Sequence, residues 1–174
     1  NDSVLTTLNE FYSDIFLLKY NDDGIVNWIE KAGSNYHYDQ ALSICKSEEN
    51  DVYISGNFTD DLVFEDTILQ AYSGGWVGDG FIARYSTTGE FKNAIAFYSD
   101  DLLLNGIFIN SGQMAVCGTI SASLTLGNDV FPTIANYSKT DIIFLNFDTA
   151  LNYQNGARYN SGSWMDYEYA NSIS

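Results

Sequence analysis

The sequence is poor in basic residues, histidine, cysteine and proline, and each shortage narrows the range of functions. Seven Lys and Arg stand against 23 Asp and Glu, a formal net charge of −16. Such a chain repels nucleic-acid phosphates and offers no basic patch to bind them, so we expect no nucleic-acid partner. The single histidine, His37, cannot form a histidine-based metal site alone. No run of 18 apolar residues occurs, so we expect no membrane span.

The two cysteines, Cys45 and Cys117, are too few for a disulfide framework. Both lie in apolar, strand-like runs, which favours buried free thiols over a bridge. The acidity, the scarcity of lysine and the turns rich in Asn, Ser, Thr and Tyr favour an extracellular or cell-surface protein. Asn57 and Asn136 begin Asn-x-Ser/Thr triplets, which matter only if the protein is secreted by a eukaryote.

Three segments of the chain recur in the same order at a spacing of 62 to 65 residues. The run at 14–20 (DIFLLKY) returns at 79–85 (DGFIARY) and again at 141–147 (DIIFLNF). The run at 52–58 (VYISGNF) returns at 114–120 (MAVCGTI), and the run at 41–44 (ALSI) returns at 103–106 (LLNG). A regular recurrence of this length is typical of repeat architectures, in which each repeat is one supersecondary unit.

Every repeated segment has the pattern of a β-strand. The runs are short, rich in Ile, Val, Phe, Tyr and Leu, and bounded by turn residues, and none shows a helical period. Runs that are apolar at successive positions, such as 15–18 and 142–145, predict sheets covered on both faces. The pattern therefore predicts an all-β chain of four-stranded antiparallel sheets stacked as blades of a β-propeller. The expected strands are 41–45, 52–58, 79–85, 90–98, 103–109, 114–120, 141–147 and 152–159.

The first copy resembles a known repeat family. Asp14-x-Phe16-x-x-Lys19-Tyr20, with Gly24 and Trp28, then Asp39-x-Ala41 and the run at 50–58, is similar to the bacterial SBBP-type β-propeller repeat. The second copy lacks the Trp and the third lacks the Gly. The resemblance implies a propeller fold in a largely extracellular setting, and it implies no catalytic residues.

Aligning the copies predicts how the propeller is divided. Residues 1–40 form the back half of a blade, 41–102 and 103–168 form two whole blades, and 169–174 form the first strand of another. Propellers close with about four to eight blades. We therefore expect the chain to be an interior stretch of a longer propeller, with flanking blades supplied by the same chain or by a neighbouring chain that completes its sheets.

The connections predict which edge of the blades binds ligands. Short turns at 21–24, 47–50, 86–89 and 110–112 share one edge, and the longer connections at 33–40, 59–78, 99–102, 121–140 and 160–168 share the other. Variable loops on a rigid scaffold are common sites of binding. Their aromatic residues either stack on a sugar ring, anchor a protein partner, or pack down as lids over the core. The candidate ligand-binding residues are Tyr36, Tyr38, Trp76, Trp164 and Tyr167.

Residues that occupy one position in every copy point instead to structure. Asp14, Asp79 and Asp141 are expected to accept backbone N–H bonds at a strand start. Gly56 and Gly118, inside strands, indicate a bulge or a close backbone approach. The Asn21–Gly24 segment is expected to be a hairpin turn. The acidic residues at 60–61 and 65–66 are a better calcium candidate, although a solvated loop is the simpler interpretation and no cofactor or metal residue is assigned.

No catalytic residue is predicted, because no nucleophile motif or phosphate-binding loop is present. The expected function is a non-enzymatic extracellular scaffold that binds protein or glycan, or builds a surface assembly. The alternatives are a carbohydrate-active propeller enzyme and a glycan-binding module of one. Carboxylates are plentiful, but glycosidase pairs are defined by separation in space rather than in sequence.

Overall fold

The computed structural model describes residues 6–7, 10–72, 78–99, 102–132, 140–159 and 170–173, and these contain no helix. The all-β prediction is confirmed, and the eight predicted strands are present within one residue at each end. The strands of the described residues are β1 (Ile15–Tyr20), β2 (Val26–Gly33), β3 (Gln40–Lys46), β4 (Val52–Phe58), β5 (Leu62–Phe64), β6 (Thr67–Leu69), β7 (Asp79–Tyr85), β8 (Phe91–Phe97), β9 (Leu102–Asn110), β10 (Gln113–Ile120), β11 (Leu124–Leu126), β12 (Asp129–Phe131), β13 (Asp141–Asp148) and β14 (Tyr153–Tyr159).

The strands of the described residues form four antiparallel sheets. Sheet 1 has the order β1-β2-β5-β6, sheet 2 the order β3-β4-β7-β8, and sheet 3 the order β9-β10-β13-β14, while β11 and β12 pair alone as sheet 4. The predicted pairing of β4 with both β3 and β7 is confirmed, as is that of β10 with both β9 and β13. Consecutive apolar runs joined by short turns pair in this way because little chain has to be ordered between them.

The long connections at 59–78 and 121–140 contain two hairpins that the sequence interpretation missed. β5 and β6 are joined by the two-residue turn at Glu65, and β5 pairs with β2, so this hairpin extends sheet 1 rather than sheet 2. β11 and β12 turn in the same way at Gly127. Glu65 and Gly127 both have positive φ, as tight hairpin turns require at their first residue. The two hairpins lie 62 residues apart, so they occupy equivalent positions in successive copies of the repeat.

Two hydrophobic clusters lie on opposite faces of sheet 2. On β7, Phe81 and Ala83 belong to the cluster shared with sheet 1, whereas Ile82 between them belongs to the cluster shared with sheet 3. Successive strand residues point to opposite faces, so sheet 2 is covered on both sides, as predicted. β1 differs, because Ile15 is buried while its neighbour Phe16 is exposed. Within the described residues, sheet 1 is therefore covered on one face only.

Gly56 and Gly118 allow neighbouring strands to approach closely. A Cβ atom on Gly56 would lie 1.8 Å from the Gln40 carbonyl oxygen, and one on Gly118 would lie 2.0 Å from the Leu103 carbonyl oxygen. The strand register shifts beside each glycine, at Ala41/Ser43 in one repeat and at the equivalent place in the other. Both interpretations of the repeated glycines, a bulge and a close approach, are confirmed.

The turn at 21–25 is a hairpin turn, as predicted. The Asn21 side-chain oxygen accepts hydrogen bonds from the backbone N–H groups of Asp23 and Ile25, at 3.1 and 2.8 Å. Gly24 has a φ of 77°, which glycine adopts without steric cost. In the third repeat Leu151 takes the equivalent place with a φ of 69°. A buried leucine thus replaces the glycine that the third copy lacks.

The turns also tie neighbouring sheets together. The Thr87 carbonyl oxygen, in the turn between β7 and β8, accepts hydrogen bonds from Lys19 and from the Trp28 indole of sheet 1. The equivalent Thr149 carbonyl oxygen accepts from the Tyr53 hydroxyl and the Arg84 guanidinium of sheet 2. The same contact therefore recurs between sheets 1 and 2 and between sheets 2 and 3.

Candidate functional site

The two predicted ligand-binding residues that the structure describes lie together in the connection between β2 and β3. Tyr36 is 61% exposed and Tyr38 is 50% exposed. Neither side chain is a lid buried over the core, because half or more of each stays accessible. The other three candidates, Trp76, Trp164 and Tyr167, lie outside the described residues.

This connection, residues 34–39, is held to both neighbouring sheets by hydrogen bonds. The Ser34 hydroxyl donates to the Tyr36 carbonyl oxygen at 2.5 Å, and the Asp39 N–H donates to the Ser13 carbonyl oxygen at 3.1 Å. The Thr59 hydroxyl donates to the Tyr38 carbonyl oxygen at 3.4 Å. The only positive φ of this loop is at His37, at 70°. Such strained backbone is found most often at functional sites, so it supports this loop as a candidate site.

Three rings form an aromatic cluster on the loop. The Tyr12 ring stands edge-on to Tyr38 with centroids 5.6 Å apart, and its centroid lies 5.9 Å from that of His37. Edge-to-face pairs at this separation are a favoured aromatic geometry. The sequence interpretation named Tyr38 on this edge but missed Tyr12, which lies outside the repeated segments. Tyr12 lies just before β1, and the start of β1 lies at the same edge of the sheets as the long connections.

A polar cleft of about 220 Å³ opens beside this cluster. Antiparallel pairing of β3 and β4 places Gln40 opposite Asn57, so their side chains lie on one face. The Asn57 residue is 9% exposed, and its side-chain oxygen is buried without a hydrogen-bond partner. Such a buried acceptor is costly unless something satisfies it. The cleft is lined by His37, Tyr38, Gln40, Asn57 and Thr59.

Asp39 lies under the same loop with a buried carboxyl group. The residue is 2% exposed, and neither carboxyl oxygen has a partner of good hydrogen-bond geometry. Burial raises the pKa of the Asp39 carboxyl group to about 7, while the Ser34 hydroxyl and backbone oppose the rise and the nearby Asp14 adds to it. The group is therefore half protonated near neutral pH, an unusual state for an aspartate.

The three repeated aspartates make structural contacts, and among the contacts of the described residues the predicted backbone N–H bonds are seen at Asp79. The Asp79 carboxylate accepts backbone N–H bonds from Tyr72 and Ser99, at 2.7 and 3.0 Å. Asp14 forms an ion pair with Lys31 at 2.9 Å, and the buried Asp141 forms one with Arg158 at 2.5 Å.

Whether a repeated aspartate forms an ion pair follows from the residue at one position of the adjacent strand. Lys31 pairs with Phe16 and Arg158 pairs with Ile143, and Ala96 takes the equivalent place beside Phe81. Where that position carries a cation, the aspartate pairs with it. Where the position carries alanine, the carboxylate accepts backbone N–H groups, because a buried carboxylate must be satisfied by one or the other.

The remaining candidate groups offer little reactive chemistry. Cys45 and Cys117 are free thiols, Cys117 buried as predicted and Cys45 half-buried, and burial raises the pKa of Cys45 to about 12. Such a thiol is a poor nucleophile near neutral pH. Among the described residues, no three His, Cys, Asp or Glu side chains come together as a metal site, and no helix is long and apolar enough to cross a membrane.

The acidic residues at 60–61 and 65–66 are spread along the β5–β6 hairpin. Asp61 precedes β5 and accepts a backbone N–H bond from Ala71, whereas Glu65 lies at the hairpin tip. Calcium binding at these residues stays a prediction. Asn57, the first residue of one Asn-x-Thr triplet, faces the cleft as a buried side chain.

No family model matches the chain, and no curated protein sequence is significantly similar to it. The resemblance to the SBBP-type repeat therefore stays a prediction, and the functional argument rests on the residues and their geometry.

Proposed function

We propose that this chain is part of an extracellular or cell-surface β-propeller that serves as a non-enzymatic scaffold and binds a protein or glycan at its loop edge. The loop edge is the edge of sheets 1 to 3 that carries residues 34–39, 59–72 and 98–99. Each complete repeat supplies the four main strands of one sheet, and the sheets stack face to face as blades. The extracellular setting is supported by the composition: the acidity, the scarcity of lysine and the turns rich in Asn, Ser, Thr and Tyr.

One observation supports the propeller most strongly. Phe16 of β1 is 62% exposed, whereas its equivalents Phe81 and Ile143 are both 0% exposed. The same contrast holds at the next two positions of that face. There Leu18 and Tyr20 are exposed, whereas the equivalent residues are buried: Ala83, Tyr85, Leu145 and Phe147. In sheets 2 and 3 the preceding sheet buries the side chains at these positions. An equivalent sheet packed against sheet 1 would bury Phe16, Leu18 and Tyr20 in the same way.

A groove beside β1 has the shape that such a neighbour would fill. Clefts of about 210 and 430 Å³ run between β1 and β3, lined by Phe16, Leu42, Ile44 and neighbouring residues. Leu42 and Ile44 are exposed, whereas Leu104, the equivalent of Leu42, is buried. Large exposed apolar patches mark interfaces. We propose that a flanking blade, from the same chain or from a neighbouring chain, occupies this groove.

The loop edge is favoured as the binding edge because it carries exposed tyrosines on an anchored loop. Tyrosine supplies a large contact area at a small cost in conformational entropy. The turn edge, which carries the turns at 21–25, 47–51, 86–90 and 148–152, is instead occupied by contacts between sheets, such as those of Thr87 and Thr149.

The binding edge is tested by truncating the exposed tyrosines. We expect Tyr36→Ala and Tyr38→Ala to lower the affinity for a bound glycan or protein at least about ten-fold, because buried contacts of tyrosine dominate many interfaces. The melting temperature changes little, because neither ring is buried in the core. Arrays of printed glycans and of printed secreted proteins identify the ligand, and titration calorimetry measures the affinity.

Ile25→Ala is the control. Ile25 is a large, exposed side chain in the turn at 21–25, on the opposite edge of sheet 1, so its loss should leave ligand affinity unchanged. Equal loss of affinity in the Ile25 and Tyr38 variants would contradict the assignment of the loop edge.

A further inference from the structure

The cleft beside Tyr38 has the features of a site for one small, hydroxyl-rich ring. It combines an aromatic wall, an exposed amide at Gln40, a hydroxyl at Thr59 and a buried acceptor at Asn57. Small-molecule sites commonly join a hydrophobic wall to a few converging polar groups. At about 220 Å³ the cleft is smaller than the 300 Å³ or more of typical drug-sized pockets, so it suits a single ring rather than a long chain.

The buried acceptor at Asn57 points to a ligand that donates hydrogen bonds. Its side-chain oxygen has no hydrogen-bond partner, although the residue is more than nine-tenths buried. A buried polar group that is left unsatisfied costs free energy, and a donor from a ligand removes that cost. Hydroxyl groups of a sugar are such donors, and Gln40 on the opposite strand can both donate and accept beside it.

The electrostatics of the cleft favour a neutral ligand over an anionic one. Of the five residues that line it, only His37 can carry a positive charge. The carboxyl group of Asp39 lies under the same loop, and the whole chain carries a formal net charge of −16. An acidic sugar would therefore meet repulsion without a fixed cation to bind it.

We propose that the cleft lined by His37, Tyr38, Gln40, Asn57 and Thr59 binds one neutral sugar ring of a glycan, with the ring against Tyr38 and its hydroxyl groups bonded to Asn57 and Gln40. This inference rests on the proposed binding function and names its ligand class. The pair of Tyr12 and Tyr38 rings, 5.6 Å apart, fixes the aromatic wall against which the sugar packs.

The test uses the whole chain and an array of neutral, hexose-containing oligosaccharides. We expect the wild-type protein to bind at least one of them. Gln40→Ala, at an exposed position, should lower that affinity about three- to ten-fold, the loss of one good hydrogen bond. Asn57→Ala should lower it at least as much. Gln113→Ala, an exposed glutamine at the start of β10 on the turn edge, should leave it unchanged.

Two results would overturn the inference. One is glycan binding that Gln40→Ala leaves unchanged, because the cleft is then not the site. The other is a wild-type protein that binds no neutral glycan on the array. In that second case, binding of a printed secreted protein that depends on Tyr36 and Tyr38 would preserve the proposed scaffold function, whereas its absence would remove both.

Discussion

Gly56→Ala is expected to destabilise the protein by about 3 kcal/mol, the upper part of the usual range for overpacking a well-packed site. The new Cβ atom would lie 1.8 Å from the Gln40 carbonyl oxygen, and a backbone atom cannot rotate away as a flexible side chain can. β3 must therefore shift away from β4. For a chain of this size the melting temperature should fall by roughly 6–12 °C, which differential scanning calorimetry measures.

The same shift should weaken the proposed site, because Gln40 lies at the strand position that Gly56 accommodates. Gly24→Ala is the matched control. Its Cβ atom would meet nothing within 4 Å, so only the positive φ of 77° opposes the change, at a cost of about 1–2 kcal/mol. If Gly56→Ala costs no more than Gly24→Ala, the close approach of β3 and β4 is wrong.

Asp39→Asn is expected to stabilise the protein at alkaline pH and to change little at acidic pH. The folded state raises the pKa of the Asp39 carboxyl group from 3.8 to about 7, so it holds this proton more tightly than the unfolded chain does. The contribution of the protonated group to stability is complete below about pH 4 and is lost as the pH rises through about 7. The difference in pKa corresponds to about 4 kcal/mol at full ionisation.

Urea unfolding of both proteins at about pH 4 and about pH 8 measures this effect. We expect the advantage of Asp39→Asn over wild type to grow by as much as about 4 kcal/mol between the two conditions. Asp22→Asn, an exposed aspartate in the turn at 21–25, makes the same change of charge and should show no comparable growth. An equal pH dependence in the two variants would mean that Asp39 is solvated in the folded protein.

The main strands and their pairing were predictable because their signals are local. Strands such as β4 and β7 are seven residues long, contain a run of apolar residues and recur at a fixed spacing, and short turns determine which neighbours pair. The hairpins β5–β6 and β11–β12 escaped prediction because strands of three residues are too short to show a period. Their recurrence 62 residues apart was nevertheless present in the sequence.

The candidate site was predictable only in part, because it depends on strand register. Position in the long connection was enough to select Tyr36 and Tyr38. The cleft arises because Gln40 lies opposite Asn57, a pairing that depends on the bulge beside Gly56 and on no local pattern. In the same way, the ion pair of Asp14 depends on Lys31 of the adjacent strand, a position that carries Ala96 beside Asp79. Sequence reasoning cannot pair these positions without the strand register.

The central claim is that sheet 1 continues beyond β1 with two further strands equivalent to β3 and β4, as a complete propeller blade would. β1 is paired with β2 alone, whereas its equivalents β7 and β13 are paired on both sides. Amide hydrogen exchange in the native protein from its source tests this directly, since paired amides exchange slowly. The account predicts that the β1 amides directed away from β2 are protected like those of β7. Exchange of those amides at the rate of an unfolded peptide, while β7 remains protected, would contradict it.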